Sequence, residues 1–463
     1  MSDLLPFEEE LPDIPAIVSP SSGSSQPRKR NVLVIAYYFP PMGLSGVQRT
    51  LKFVKYLPEF GWRPIVVTAG ETPYYALDDS LLEEIRPQIE AGDIVIHRTK
   101  SGGAPGAKIA KKEGKLLKLP SDAWQRLRSK LIQTILQPDS RIRWKKHALK
   151  LIDTIYKTER IDATFATAPP YTSFLIAHEL RTKYGTPYLM DYRDAWVSNK
   201  VLNFYATPFH KAYARKLEDE ALRSSDAVTV VNRRMKEVLI RDYEFLSHED
   251  VTIVPHGYDR DDLDQAAPLV PQLRDPSKFR ITYSGAFYVG RSPKVMLDAA
   301  KEAVKRIPEI SKHLELMFVG VLQKDYHNLI KRSGLEQNVT EKGYLPHRES
   351  VAMLLASDVL WMTMSDDISA PGKLYEYLGT RKPIIGLVPP RSQAEWILQD
   401  YGAGITIAPE DTKNLTEAII KLYHMWQRGG LPANVNEAFV KSFDRRELTR
   451  ELSRELGMIA LMD

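Results

Sequence analysis

The stretch NVLVIAYYFPPMGLSGVQRTLKFVKYLPEFGWRPIVVTA, from Asn31 to Ala69, decides how the chain folds. NVLVIAYY is a run of strand length dominated by apolar residues, the pattern of a parallel strand covered on both faces. The loop FPPMGLSG follows it. Apolar residues then recur at helical spacing through Val47, Leu51, Val54 and Leu57, until Pro58 and Gly61 close the segment. PIVVTA reads as a second strand. Strand, glycine-containing loop, helix and strand in this order open a doubly wound parallel sheet.

The same theme continues outward. DIVIH (93–97), DATFATA (162–168), PYLMDY (187–192), DAVTVV (226–231) and VTIVP (251–255) are further short apolar runs with helical patterns between most of them. QAAPLVPQLRDPSK (265–278) loses periodicity and carries three prolines, so residues 266–278 are expected to link two domains. A second unit then starts afresh with FRITYSGAF (279–287), LELMFVG (314–320), VLWMTM (359–364) and PIIGLV (383–388). The expected fold is α/β, with two Rossmann-like doubly wound parallel-sheet domains at 31–265 and 279–440 facing a central cleft. Residues 441–463 are expected to form a C-terminal helix that packs back on the first domain. Residues 1–30 end in SPSSGSSQPRKR and are expected to be a disordered tail.

A length of 463 residues exceeds what one core serves, which agrees with two domains. Apolar residues at 43% and charged residues at 27% are ordinary for a folded soluble protein. The absence of cysteine excludes disulfides, thiolate metal sites and a cysteine nucleophile. The start MSDLLPFEEELPDIP lacks the basic and apolar regions of a secretion signal, and no stretch approaches the roughly 20 apolar residues of a membrane span. A cytoplasmic protein is expected, at most resting on the inner face of the cell membrane.

The net charge of +5 is unevenly spread, with an excess of lysine and arginine between residues 98 and 150. That run also holds Trp124, Trp144 and the apolar spacing Leu127, Leu131, Ile135. It reads either as an amphipathic element on anionic lipid or as a solvated helical insertion. No nucleic-acid module is present, so nucleic acid is not an expected partner.

Candidate chemistry collects at strand ends. Gly43 and Gly46, with Arg49 a turn later, either offer backbone N–H groups to a phosphate or merely make the turn. Their spacing is not that of a dinucleotide fingerprint. In SAPGKLYEYLGTRKPI a helix starting near Gly372 places Lys373 and Glu376 on one face, an ammonium for phosphate oxygens and a carboxylate for ribose hydroxyls. An i,i+3 surface ion pair is the bland alternative. Gly285 and Arg291 follow the first strand of the second unit, where a guanidinium can neutralise a leaving diphosphate or simply sit in an exposed loop. MDYRDAW ends a strand with Asp191, Arg193 and Asp194, read either as acid/base groups or as a clamp. His256, in PHGYD, is either a ligand contact or a turn histidine.

Taken together, these residues resemble glycosyltransferase family 4, from about Asn31 to Asp463. YYFPPMGLSGVQR is similar to that family's N-terminal loop, MDYRDAW to the DxRDxW segment of one subgroup, and IVPHGYD to its hinge-side motif, with His256 in place of asparagine. APGKLYEYLGTRKPI is similar to the donor-binding helix. The resemblance implies a GT-B fold and retaining transfer from a nucleoside-diphosphate sugar, with no metal required, to a saccharide or lipid-linked acceptor. It assigns Arg291, Lys373, Glu376 and Asp194 to catalysis, and Gly43, Gly46, Gly285, His256, Gly372 and Leu374 to donor binding. The family's pair of glutamates, with seven residues between them, would place its first member at Ile368, with Asp366 and Asp367 nearby. An ungapped reading sets Ala286 at the family's arginine and Arg291 at its lysine. The rival function is a catalytically idle sugar-nucleotide-binding or assembly protein with the same fold.

Overall fold

The computed structural model describes residues 29–43, 45–70, 77–102, 136–198, 205, 207–287, 291–320, 322–432 and 434–461. The expected tail, apart from residues 29 and 30, and most of the basic run, with Trp124, Leu127, Leu131 and Ile135, lie outside the described residues.

The first sheet contains β1 (Arg30–Ile35), β2 (Trp62–Ala69), β3 (Val95–Thr99), β4 (Ala163–Ala168), β5 (Tyr188–Tyr192), β6 (Ala227–Val230) and β7 (Val251–Ile253). All pairs are parallel, in the order β3-β2-β1-β4-β5-β6-β7. The order turns back between β1 and β4, so the loops after these two strands flank the switch point, where ligands bind in such sheets. Val32 to Ile35 are fully buried, which is why this strand reads as a continuous apolar run. The helices that matter here are α1 (Ser45–Tyr56), α2 (Ile142–Ile155), α3 (Thr172–Tyr184), α4 (Pro208–Ser224) and α5 (Arg233–Asp242).

The second sheet contains β8 (Phe279–Ser284), β9 (Leu314–Val319), β10 (Val339–Gly343), β11 (Val359–Thr363), β12 (Ile384–Leu387) and β13 (Gly404–Ile407). It too is parallel, in the order β10-β9-β8-β11-β12-β13, and turns back between β8 and β11.

The connection between the sheets differs from the aperiodic linker expected at 266–278. After α6 (Arg260–Ala266), a 3-10 turn at Ala267–Leu269 runs into a short helix at Val270–Leu273. Each turn has a proline in its first two positions, where the missing N–H costs nothing. Leu263, Leu269 and Leu273 pack on Val351 and Ala352 of α7 (His347–Leu355), so these prolines start helical turns instead of breaking them.

The C-terminal helix, α8 (Arg445–Ile459), returns to the first domain. Leu448, Leu452, Leu456 and Ile459 recur at helical spacing and join that domain's core, each contributing roughly 2 kcal/mol of apolar burial. Its start is stitched to the PHGYD motif: Tyr258 donates its N–H to the Phe443 carbonyl at 3.0 Å, and Arg445 donates to the Tyr258 carbonyl at 2.9 Å. Gly257 must be glycine here, since a Cβ would stand 2.3 Å from the Phe443 carbonyl oxygen.

Trp144, from the basic run, is fully buried on α2, edge-on to Tyr37 with ring centroids 5.2 Å apart. This end of the run is core and not a lipid-facing surface.

Candidate active site

The first wall of the cleft is built by β1, β4, β5 and β7. Arg49, which the sequence placed near a phosphate loop, is turned inward instead. Its guanidinium donates to both Asp191 oxygens, at 3.0 and 2.7 Å, and to the carbonyls of Pro255 and Val254, at 2.7 and 2.8 Å. Thr167 and Thr229 donate to the same carboxylate at 2.8 and 3.0 Å. Burial alone would raise the Asp191 carboxyl, but the Arg49 charge and these hydrogen bonds hold it below its ordinary value. Asp191 is thus the clamp of the two readings left open for MDYRDAW, and four of the five Arg49 donors are spent within the protein.

Arg193 is a clamp as well. It donates to the carbonyls of Ala168, Pro169 and Gly46, tying together the loops after β1, β4 and β5. The Gly46 carbonyl is consumed in that tie, and Gly43 is buried in the same loop. Of the three, Asp194 is close enough to the second domain to feel a charge there. Burial raises its carboxyl, Arg193 opposes the rise, and Asp366 of the second domain adds to it. The loop carrying Asp194 is fastened from behind by α4: Glu218 accepts from the Val197 N–H at 3.1 Å and from the Tyr243 hydroxyl at 2.7 Å. His256 lies edge-on to Tyr375 across the cleft, with centroids 6.1 Å apart. Burial, reinforced by Arg49, Arg445 and Arg193, holds its imidazole well below the ordinary pKa. It is therefore a neutral hydrogen-bonding group at physiological pH, not a cation for phosphate.

The second wall is built around α9 (Gly372–Gly379). Lys373 reaches back across the sheet edge to donate to the Ser284 carbonyl at 2.5 Å. It passes over Gly285, which has φ +129° and where a Cβ would lie 1.7 Å from the ammonium nitrogen. Gly320 repeats the device one strand away, with φ +128° and room for a Cβ only 2.5 Å from the Gly285 carbonyl oxygen. Burial draws the Lys373 ammonium down to about 8, with Glu376 opposing and Arg291 assisting. Gly372 opens the helix, where backbone N–H groups have no partner within the helix, and Glu376 stands one turn along. Arg291 is held 3.8 Å from Asp366, whose other oxygen accepts from the N–H groups of Ile368 and Ser369 at 3.2 and 2.6 Å. Leu374 corrects the sequence reading. Its side chain is fully buried in the second domain's core and its N–H bonds the Pro371 carbonyl at 2.9 Å, so it offers nothing to a donor.

The walls meet. Asn232 caps α5 and also donates to the Ile368 carbonyl at 2.9 Å, joining the domains beside the cleft. Ile368 contributes its backbone to that bond, while Asp366, two residues earlier, supplies the carboxylate beside Arg291. Two further groups escaped the sequence reading. Arg445 is buried with its Nη1 unpartnered; burial and Arg49 draw its guanidinium down to about 10, against Glu376. Its neighbours lie far away along the chain, so no local pattern marks it. Glu84, Asp259 and Asp262 are close enough together to hold a metal ion. The Lys52 ammonium sits 2.5, 2.7 and 2.6 Å from them and fills that place with a charge of its own. His347 then bridges α7 to Asp262 at 2.9 Å, and that carboxylate, outweighing burial, lifts its imidazole to about 9.

Two family models match the chain: one for glycosyl transferase 4-like domains over residues 46–257, and one for glycosyl transferases group 1 over residues 279–425. The chain is a family 4-like glycosyltransferase. Its two parallel-sheet domains also match solved structures. HepE from Anabaena, in complex with UDP and glucose, aligns over 93% of this chain and 100% of its own, at TM-score 0.60 and 14% identity. A glycosyltransferase from Rickettsia africae aligns over 93% of this chain and 98% of its own, at 0.60 and 16%. Sucrose-phosphate synthase from Thermosynechococcus elongatus aligns over 94% and 100%, at 0.60 and 14%. At such identities these likenesses concern the fold. No curated protein matches the sequence. The boundary between the two family models falls at the PHGYD motif and the α6 connection, so this glycosyltransferase carries one match on each side of its cleft.

Proposed function

We propose that this glycosyltransferase takes a nucleoside-diphosphate sugar as donor and passes the sugar, with retention and without a metal, to a saccharide or lipid-linked acceptor of cell-surface polysaccharide or glycolipid synthesis. The observation that carries the donor assignment is Lys373, held over Gly285 at the opening of α9 with Glu376 one turn on. A buried ammonium beside free helix N–H groups is a preorganised site for a diphosphate, and a carboxylate one turn away suits ribose hydroxyls. Similar structures solved with UDP and with UDP-glucose support the same donor class.

In this reading Arg291, Lys373 and the backbone around Gly372 stabilise the charge that develops on the leaving diphosphate. Gly285 provides the space for Lys373, and Glu376 orients the nucleoside. Retention requires the acceptor hydroxyl to attack from the face the diphosphate leaves, its proton passing to the departing phosphate oxygen; Asp194, from the opposite wall, positions the acceptor, and neutral His256 hydrogen-bonds the sugar. Gly43 and Gly46 shape the facing loop. No described helix is long and apolar enough to cross a membrane, so a lipid-linked acceptor would be met at the membrane surface on the cytoplasmic side.

The test is release of nucleoside diphosphate from a panel of sugar nucleotides, followed against pH. Lys373 carries its charge below about pH 8 and loses it above. The kcat/KM for the donor is expected to be level below that point and to fall about tenfold per pH unit beyond it. Lys373→Arg should move the break to higher pH. Binding without release from any donor would favour the catalytically idle reading, and a profile that stays level through pH 10 would remove Lys373 from the diphosphate.

A further inference from the structure

We infer that Asn232 is a positioning residue for donor binding: from the first domain it fixes, through the Ile368 peptide, the loop of the second domain whose Asp366 holds Arg291. This rests on the diphosphate role proposed above for Arg291.

Asn232 follows β6 at the carboxyl edge of the first sheet and is 2% exposed. Its backbone is extended, and its Oδ1 accepts from the Met235 N–H at 2.8 Å, which caps α5. Serine, threonine or aspartate would cap as well, so capping alone does not require an amide. The amide differs in its other end. Nδ2 donates to the Ile368 carbonyl at 2.9 Å, and the flipped orientation would set oxygen against oxygen and N–H against N–H. One rigid planar group therefore makes both the cap and a bridge between the domains.

The bridge ends on a peptide pinned from both sides. The Ile368 N–H donates to an Asp366 oxygen at 3.2 Å, beside the Ser369 N–H at 2.6 Å, while its carbonyl receives Asn232. The other Asp366 oxygen stands 3.8 Å from the Arg291 guanidinium, whose only ion pair among the described residues this is. The Arg291 backbone is fastened separately, its carbonyl accepting from the Tyr326 hydroxyl at 3.0 Å. The guanidinium thus takes its place from Asp366, and Asp366 lies in a loop that is neither helix nor strand. Among the described residues, Asn232 is the side chain of the first domain that hydrogen-bonds this loop.

A second contact from α5 lies apart from it. Arg234 donates to the Arg391 carbonyl at 3.0 Å, and its guanidinium lies over the Trp396 ring, 4.6 Å from the centroid. It joins the domains without bonding residues 366–369, so joining the domains and holding the loop can be tested apart.

The experiment is calorimetric titration of the full chain with uridine, guanosine, adenosine and thymidine diphosphates, with the thermal midpoint measured alongside. Asn232→Ser keeps a capping oxygen, but its side chain ends one atom short of the bridge. It is expected to keep a midpoint close to the parent's and to weaken the preferred nucleotide about three- to tenfold, the scale of one hydrogen bond. Asn232→Ala gives up the cap as well and should show the same loss of affinity at a lower midpoint. Arg234→Ala should keep the parent's affinity. An unchanged affinity in Asn232→Ser would overturn the inference, and so would an equal loss in Arg234→Ala, because joining the domains anywhere would then suffice. Lys373→Ala separates this result from the donor reading. If it weakens binding and Asn232→Ser does not, the inference fails alone, whereas a parent chain that binds none of the nucleotides removes the donor reading and the inference with it.

Discussion

Gly285→Ala is expected to lower kcat/KM for the donor by about two to three orders of magnitude, the scale of losing one preorganised electrostatic group. The added Cβ would stand 1.7 Å from the Lys373 ammonium and 2.8 Å from the carbon before it, so the lysine must leave its bond to the Ser284 carbonyl. Alanine at φ +129° would also cost about 1–3 kcal/mol of backbone strain. The two effects separate in a double-mutant comparison. If the lysine is what the glycine serves, Gly285→Ala added to Lys373→Ala should cost little further activity, while the thermal midpoint still falls. An alanine variant that keeps the parent's kcat/KM would show that the ammonium does not need this seat.

The largest effect on stability is expected at a pair with no catalytic part. Asp191→Ala strands the Arg49 guanidinium in the interior, and removing one partner of a buried ion pair costs about 3–5 kcal/mol. Against a total stability of about 5–15 kcal/mol, this is enough to shift the denaturation midpoint severely. Replacing both partners, as Arg49→Met with Asp191→Leu, should recover much of the loss, because an apolar pair leaves no stranded charge. Urea unfolding of the two variants checks both statements, and a loss below about 1 kcal/mol for Asp191→Ala would mean the charge finds another partner.

What the sequence made legible follows from where the physics is local. Parallel strands buried on both faces read as continuous apolar runs, so the strands of the first sheet and the four inner strands of the second were visible, as was the helix that carries Lys373 and Glu376; β10 and β13, half-buried strands at the two edges of the second sheet, carry no such run. Turn chemistry was less transparent. Pro268 and Pro271 signalled breakage, yet at the first positions of short helical turns they are accommodated without loss. Burial was misjudged where one helix serves two purposes: Leu374, between Lys373 and the core, belongs to the core. The remaining misses are long-range. Arg49 and Asp191 are 142 residues apart, and nothing near either announces the other. Arg445 comes to Glu376 only because the chain crosses back, and Asp366 takes a place beside Arg291 that strict spacing had given to Ile368.

That crossing sets an order of assembly. The core of the first domain includes Leu448, Leu452, Leu456 and Ile459, which a ribosome makes only after every strand of the second sheet. The domain synthesised first is therefore completed last, and a nascent chain stalled between residues 408 and 444 presents α1 with an open apolar flank while the second domain already has all its strands.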